Sequence, residues 1–298
     1  MLKRIFQRKV EEMSRFIDDK PALTYDDVLL VPQYSSIESR TQVDLSVPFE
    51  PNFNLAIPVI SSPMDTVTEG TMAQAMDDLG GLGIIHRYNT IQEQSALIKT
   101  ANSANNVGAA IGVSGDFVER AQEAISAGAN ILCVDIAHGH HTLMRHALKV
   151  LRNTLGTQVH IMAGNVATRK AVDDLADWGA DSVRVGIGGG SICSTRIQTG
   201  HGMPTLHSII ECAKSDRDVA LIADGGIRNS GDICKALAAG ADFVMLGSML
   251  SGTDEAPGDK HFDSRTGKFY KAYRGMASVE AQIDWRGHTS SVEGVAST

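Results

Sequence analysis

Residues 117–135 read FVERAQEAISAGANILCVD. An amphipathic stretch of helix length closes at Gly128 and Ala129, and the apolar run Ile131–Asp135 begins two residues later. Glycine just past a helix supplies the left-handed cap at little steric cost, so Gly128 marks a stop. A five-residue apolar run with β-branched residues and no polar alternation fits a strand buried on both faces. The unit is therefore helix, glycine stop, strand. It returns with the same Gly-Ala punctuation as RKAVDDLADWGAD (169–181, stop at Gly179) before SVRVG, and as DICKALAAGAD (232–242, stop at Gly240) before FVMLG.

Outward from that unit the rhythm continues in both directions. The apolar runs are IPVIS (57–61), LGII (82–85), GAAIG (108–112), ILCVD (131–135), HIMAG (160–164), SVRVG (182–186), ALIAD (220–224) and FVMLG (243–247). Eight strand–helix units predict an α/β fold of the closed (β/α)8 or TIM-barrel type, in preference to an open doubly wound sheet. The expected organisation is a leader segment over 1–20 and one catalytic barrel domain over 21–298.

Composition narrows the function classes. The 298 residues carry 27 Lys+Arg and 35 Asp+Glu, for a formal net charge of -8. That acid excess argues against a nucleic-acid partner, because duplex binding draws on Lys and Arg to neutralise phosphates. No run reaches about 18 apolar residues, and the first twenty residues, MLKRIFQRKVEEMSRFIDDK, are broken by charges, so neither a membrane span nor a signal peptide is expected. The cysteines at 133, 193, 212 and 234 form no C-x-x-C pair, which fits neither a zinc site nor a disulfide framework; a cytoplasmic location is expected.

In a barrel the chemistry sits at the carboxyl ends of the strands. Glycine, Ser, Asp and Asn gather there: SSPMDT after the first run, DIAHGHH after the fourth, AGNVAT after the fifth, GIGGGSICST after the sixth, ADGGIRNSGD after the seventh and GSMLSGTDEAPG after the eighth. The loop Gly186–Thr195 offers backbone N–H groups unshielded by side chains, able to wrap an anion or to turn carbonyls toward a cation. A lone Cys is ordinarily a small buried hydrophobe. Placed on this loop, Cys193 is instead expected to act as a nucleophile. Packing is expected to explain Cys133, Cys212 and Cys234. Asp224-Gly225-Gly226 and Gly247-Ser248 occupy the loops where many barrels bind phosphate. Asp224 suits a ribose diol or, more blandly, a helix cap. His138, His140 and His141 invite a metal, against which stands a plain polar loop with Asp135 facing a cofactor. The segment GTDEAPGDK reads as solvated surface.

Beyond these readings, VRVGIGGGSICST (183–195) closely resembles the signature loop of the IMP dehydrogenase and GMP reductase family. The flanking segments LTYDDVLLVPQYS, SSPMDTVTE, GGLGIIHR, AGNVAT, ADGGIRNSGDI, GSMLSGTDEAPG and YRGM resemble the family in the same order, covering nearly the whole chain from about residue 22. The resemblance implies a barrel that binds a purine 5'-monophosphate and NAD(H) or NADP(H), usually as a homotetramer. By position, Cys193 would attack carbon 2 of the purine to give a thioimidate, and Thr195 would assist proton transfer. Ser191, Gly226, Gly247, Ser248 and Tyr273 would hold the phosphate, Asp224 the ribose, and Gly275, Met276 and Glu293 the base, with Ser62 and Met64 bordering the nucleotide. Asp135, Asn165 and Gly186 would lie toward the nicotinamide. Carbonyls of Gly188, Gly190 and Cys193 resemble a potassium site.

Departures from the family pattern bear on the reaction. Dehydrogenases usually insert regulatory repeats of about 120 residues; here GGLGIIHR runs on to GAAIG in about 20 residues, so no such insert is expected. They also carry a long flap with an Arg-Tyr pair that activates water, whereas MASVEAQIDWRGHTSSV (276–292) places Gly287 after Arg286. A short flap favours the reductase. The reductase acid, however, follows a Gly-Met-Ser-Ser-Glu pattern; here Val279 stands in that place and Glu280 comes one later, and Glu280 is expected to serve by a one-residue register difference. The loops after the seventh and eighth strands lean toward the dehydrogenase. The chain ends before the helix that closes family barrels, so a clipped end and exposed apolar surface on the first and last strands are expected. Two other readings compete: a non-catalytic nucleotide-binding barrel, and an aldolase- or isomerase-type barrel, for which no strand end supplies the Schiff-base lysine.

Overall fold

The computed structural model describes residues 21–49, 53–101, 104–289 and 292–297; the leader expected over 1–20 lies outside them. Eight parallel strands close into a barrel in chain order: β1 Val59–Ser61, β2 Leu82–Ile85, β3 Val107–Ile111, β4 Ile131–Asp135, β5 His160–Val166, β6 Ser182–Val185, β7 Ala220–Asp224 and β8 Phe243–Leu246, with β8 pairing back onto β1. Each run read from the sequence overlaps one of them, with β3 starting at Val107 before the run GAAIG and β5 continuing to Val166 past the run HIMAG. No inserted domain interrupts β2 and β3, which are joined through α2 (Ile91–Thr100); α1 (Gly70–Asp78) lies between β1 and β2.

The strands lack polar alternation because both faces are buried. On β4, Ile131 and Cys133 point into the barrel, while Leu132 and Val134 face the surrounding helices. The outer layer comprises α3 (Phe117–Ala127), α4 (Thr142–Leu155), α5 (Arg169–Trp178), α7 (Thr205–Cys212) and α8 (Ser230–Ala238), with a short α6 (Thr195–Thr199) on the cysteine loop. The three glycine stops all adopt positive φ: Gly128 at 119°, Gly179 at 113° and Gly240 at 108°. Below the barrel, a hairpin of Val47–Phe49 and Phe53–Leu55 inserts Phe49, stacked on His160 at 4.0 Å and edge-on to Phe243 at 4.7 Å. This plug leaves the carboxyl ends of the strands as the open mouth.

Two expectations are corrected around β8. The first and last strands are not left bare: β8 is buried throughout, as are Ile60 and Ser61 of β1. The chain after β8 folds back beside β1, with Leu250, Ala256 and Val59 packing together with Met72 and Met76 of α1. Buried Lys271 fastens that segment through the carbonyl of Ala256 at 2.5 Å. GTDEAPGDK is therefore solvated at its charged residues but anchored by Ala256.

Candidate active site

A cavity of about 350 Å³ opens at the mouth. The β6 loop enters it beneath β7: a Cβ on Gly186 would lie 1.9 Å from the carbonyl oxygen of Asp224, and its φ is 151°, so only glycine fits this crossing. Cys193 is half-buried at the cavity wall. Its thiol donates to Thr195 Oγ1 at 3.2 Å, and that hydroxyl donates to Glu293 Oε2 at 3.0 Å.

Glu293 arrives from far along the chain by main-chain pairing. The Ser194 amide donates to the Glu293 carbonyl (3.0 Å) and the Val295 amide to the Ile192 carbonyl (3.0 Å). On the other side, the Glu293 amide donates to Ala277 (3.1 Å) and the Gly275 amide to Val295 (3.1 Å). Three plies thus lie together, and Gly294 sits at their centre, where a Cβ would come within 3.2 Å of the Ser278 nitrogen. The register of this zipper sets the carboxylate beside the thiol.

Across the cavity, the loops after β1, β6 and β8 meet Tyr273. A Cβ on Gly247 would lie 2.8 Å from Tyr273 Oη, 3.2 Å from Ser62 Oγ and 3.4 Å from Met64 Sδ. Ser62 Oγ is buried without a partner. Burial pushes the Tyr273 phenol up to about 12, against a smaller opposing effect of its Ser191 hydrogen bond, so it stays a neutral donor at physiological pH. A buried hydroxyl lacking a partner costs roughly 1–3 kcal/mol, which makes this corner a receptor for an acceptor-rich group.

The strand tips form the floor. Strand alternation points Asp135 (β4), Arg184 (β6) and Asp224 (β7) inward in one layer. Arg184 is buried and donates to Asp135 Oδ1 (2.8 Å), Asp224 Oδ2 (2.9 Å) and Cys133 Sγ (3.3 Å). Asn165 Nδ2 donates to Asp224 Oδ2 (2.7 Å) and to the Gly186 carbonyl (2.8 Å). Burial alone would raise the Asp135 carboxyl; Arg184 and Arg87 outweigh it and hold it below the usual carboxylate range. Asp224 is no helix cap, since Asn229 caps α8.

The structure brings Ser62, Met64, Asp135, Asn165, Gly186, Gly188, Gly190, Ser191, Cys193, Thr195, Asp224, Gly226, Gly247, Ser248, Tyr273, Gly275, Met276 and Glu293 to this one cavity. Glu280 is the exception. It lies exposed in the first turn of α9 (Val279–Arg286), outside the lining, because Ser278 caps that helix and turns its first residues to solvent. Shifting its register by one residue does not rescue it; the carboxylate at the thiol is Glu293. Sequence reading missed Arg184, although period-two alternation along SVRV would have turned it inward. It also missed Arg87 and Tyr88 from the β2 loop. Tyr88 stacks on Trp285 at 4.2 Å, and Arg286 lies over that indole at 4.1 Å, beside a second cavity of about 210 Å³.

The remaining candidates are structural. His141 caps α4, His140 meets Asp174 at 2.8 Å, and among the described residues no group of three His, Cys, Asp or Glu side chains could hold a metal ion. Burial pushes the thiols of Cys133 and Cys212 up, to about 11 and about 12, as packed residues. Cys234 is exposed on α8, so packing does not account for it.

Comparison with known proteins agrees with this geometry. Residues 22–295 match the IMP dehydrogenase / GMP reductase domain. Inosine-5'-monophosphate dehydrogenase of Cryptosporidium parvum is 41% identical (87% of this chain, 74% of that one), that of Nitrosopumilus maritimus 35% (89% and 82%), and GMP reductase of Leishmania major 33% (88% and 80%). A crystal structure of GMP reductase from Trypanosoma brucei in complex with guanosine 5'-monophosphate superposes with a TM-score of 0.87 at 30% identity, over 93% of this chain and 87% of that one. The chain belongs to the IMP dehydrogenase / GMP reductase family, whose members are NAD(P)-dependent oxidoreductases. No described helix is long and apolar enough to cross a membrane.

Proposed function

We propose that the protein is a GMP reductase, converting GMP, NADPH and a proton to IMP, NADP and ammonia. The observation that carries this reading is the proton path at the thiol. Thr195 and Glu293 are the acid–base groups beside Cys193, while Arg286 of the short flap is stacked on Trp285 and lines the second cavity, not the one that holds the thiol. Releasing ammonia needs one proton delivered to the exocyclic nitrogen, which a hydroxyl backed by a carboxyl group can relay. Hydrolysing the intermediate needs a base aimed at water.

In the proposed sequence the thiol proton of Cys193 passes through Thr195 to Glu293 as Sγ bonds to carbon 2 of the purine, and the bond from carbon 2 to the exocyclic nitrogen breaks. The nitrogen leaves as ammonia with a proton passed through Thr195 from Glu293. A reduced nicotinamide held there would supply the hydride that replaces sulfur at carbon 2, and the released Cys193 thiolate takes up a proton from water. Asp135, Asn165 and Gly186 would hold the nicotinamide side. Ser62, Ser191, Gly247, Ser248 and Tyr273 would anchor the phosphate and so fix carbon 2 in attack geometry. Filling that corner tests the anchor: Gly247→Ala weakens GMP binding at least about tenfold in calorimetry, and unchanged affinity would place the phosphate elsewhere.

The second reading, IMP dehydrogenase, draws on relatives of that name at 35% and 41% identity. Incubation with GMP plus NADPH, and separately with IMP plus NAD, separates them. Ammonia and IMP from the first identify the reductase; XMP from the second identifies the dehydrogenase. Tight nucleotide binding with silence in both leaves the non-catalytic barrel. Run with Li⁺ in place of K⁺, the assay also tests the carbonyls of Gly188, Gly190 and Cys193 as a potassium site; an equal rate removes it. A homotetramer would cover the arm over 29–46, exposed throughout and bearing Leu29, Val31 and Tyr34 at 86%, 76% and 96% exposure. Sedimentation as a monomer at micromolar concentration excludes it.

A further inference from the structure

We infer that Arg184 is a positioning residue whose single guanidinium fixes both cavity carboxylates, orienting Asp224 for the nucleotide ribose and tying that orientation to Asp135 on the cofactor side. The inference rests on the proposed nucleotide chemistry for what Asp224 binds, and on geometry alone for the network.

Arg184 is 6% exposed and spans the barrel from β6, with one terminal nitrogen 2.8 Å from Asp135 Oδ1 and the other 2.9 Å from Asp224 Oδ2. Asn165 donates to the same Asp224 Oδ2 at 2.7 Å. Both donors therefore occupy one oxygen and leave Oδ1 of Asp224 free to accept from a vicinal diol. A carboxylate without those two donors could rotate and would lose that bias. Two like charges held in one small space also need a counter-charge to stay ionised together. The charged and titratable groups around the network are Cys133 and Asp135 on β4, Arg87 and Tyr88 beside Asp135, and Tyr25 and Tyr273 near Asp224. Arg87 reaches Asp135 only at 3.4 Å, so Arg184 is the principal counter-ion of the pair. Gly164 protects the geometry: a Cβ there would press on Arg184 Cβ at 2.6 Å and its carbonyl oxygen at 2.9 Å.

The test compares wild type, Arg184→Met and Arg184→Lys. In calorimetry without cofactor, Arg184→Met is expected to weaken GMP binding by roughly 30-fold or more, as for loss of one member of a buried charge pair. Lys recovers part of this. Adding Asp135→Asn to Arg184→Met restores part of the affinity by removing the like charge facing Asp224, a rescue that a purely structural role would not give. Melting supplies a readout independent of substrate. Without Arg184 the buried Asp135 carboxyl loses the main cation that opposes its burial, so the stability it lends is present at low pH and lost as pH rises; the gap in Tm from wild type should widen as pH rises from about 4, the free carboxylate value. In wild type the sign is opposite, since Asp135 is depressed and favours the fold until acid protonates it. Should Arg184→Met not fold, Arg184→Lys carries both readouts, with intermediate values expected. GMP affinity equal to wild type, or a Tm gap independent of pH, overturns the inference. Wild-type protein that binds neither GMP nor IMP overturns the nucleotide reading instead, with the ribose role; a widening Tm gap would still support the ion network.

Discussion

Cys193→Ala abolishes turnover, with the rate falling by about three orders of magnitude or more, while GMP affinity changes less than about tenfold. Covalent attachment divides a difficult substitution at carbon 2 into two easier steps, and no other described thiol can replace this one. Cys133 and Cys212 are buried with raised thiol pKa values, and Cys234 lies on α8 away from the cavity. In the proposed reading, ground-state contacts to phosphate and ribose would come from Ser62, Ser191, Gly247, Tyr273 and Asp224, and removing the sulfur leaves all of them in place. The split between lost rate and kept affinity is read from steady-state assays beside calorimetry. Residual turnover within tenfold of wild type would exclude Cys193 as the nucleophile.

Glu293→Gln is the next largest effect, with kcat reduced about 10²- to 10³-fold and GMP affinity reduced far less. Glutamine keeps the zipper of Ser194, Glu293 and Ala277 main chains, so the variant removes the acid–base function and little else. Thr195→Val should cost a similar factor. The double variant should cost little more than either single, because the two side chains act as one relay through the 3.0 Å bond between them. Additive losses would separate their roles. Glu280→Gln should alter kcat less than about twofold, since that carboxylate faces solvent.

The barrel was legible because each buried strand carries its own signature. Runs such as ILCVD and ALIAD coincide with β4 and β7 residue for residue, and the Gly128 and Gly179 stops follow from positive φ, a local property. Most of the cavity was legible through resemblance: the loops carrying Cys193, Asp224 and Gly247 sit at strand ends, where chain order and spatial order agree. Glu280 misled for the opposite reason. Its distance from Gly275 in sequence says nothing about which face of α9 it occupies, and Glu293 reaches the thiol only through main-chain pairing of segments about a hundred residues apart. Arg184 went unread because a charged residue inside an apolar run has meaning only when its partners on β4 and β7 are in place. The packing of Leu250 and Ala256 beside Val59 of β1 likewise depends on a tertiary return that no local pattern announces.

The most direct measurement is acid quenching of the enzyme during turnover with GMP and NADPH, followed by intact-mass analysis and peptide mapping. A nucleotide adduct lacking the elements of ammonia, located on the peptide that contains Cys193, is the expected result. Full turnover with no covalent species at any quench time, or an adduct carried by a different residue, would contradict attack by this thiol on the purine.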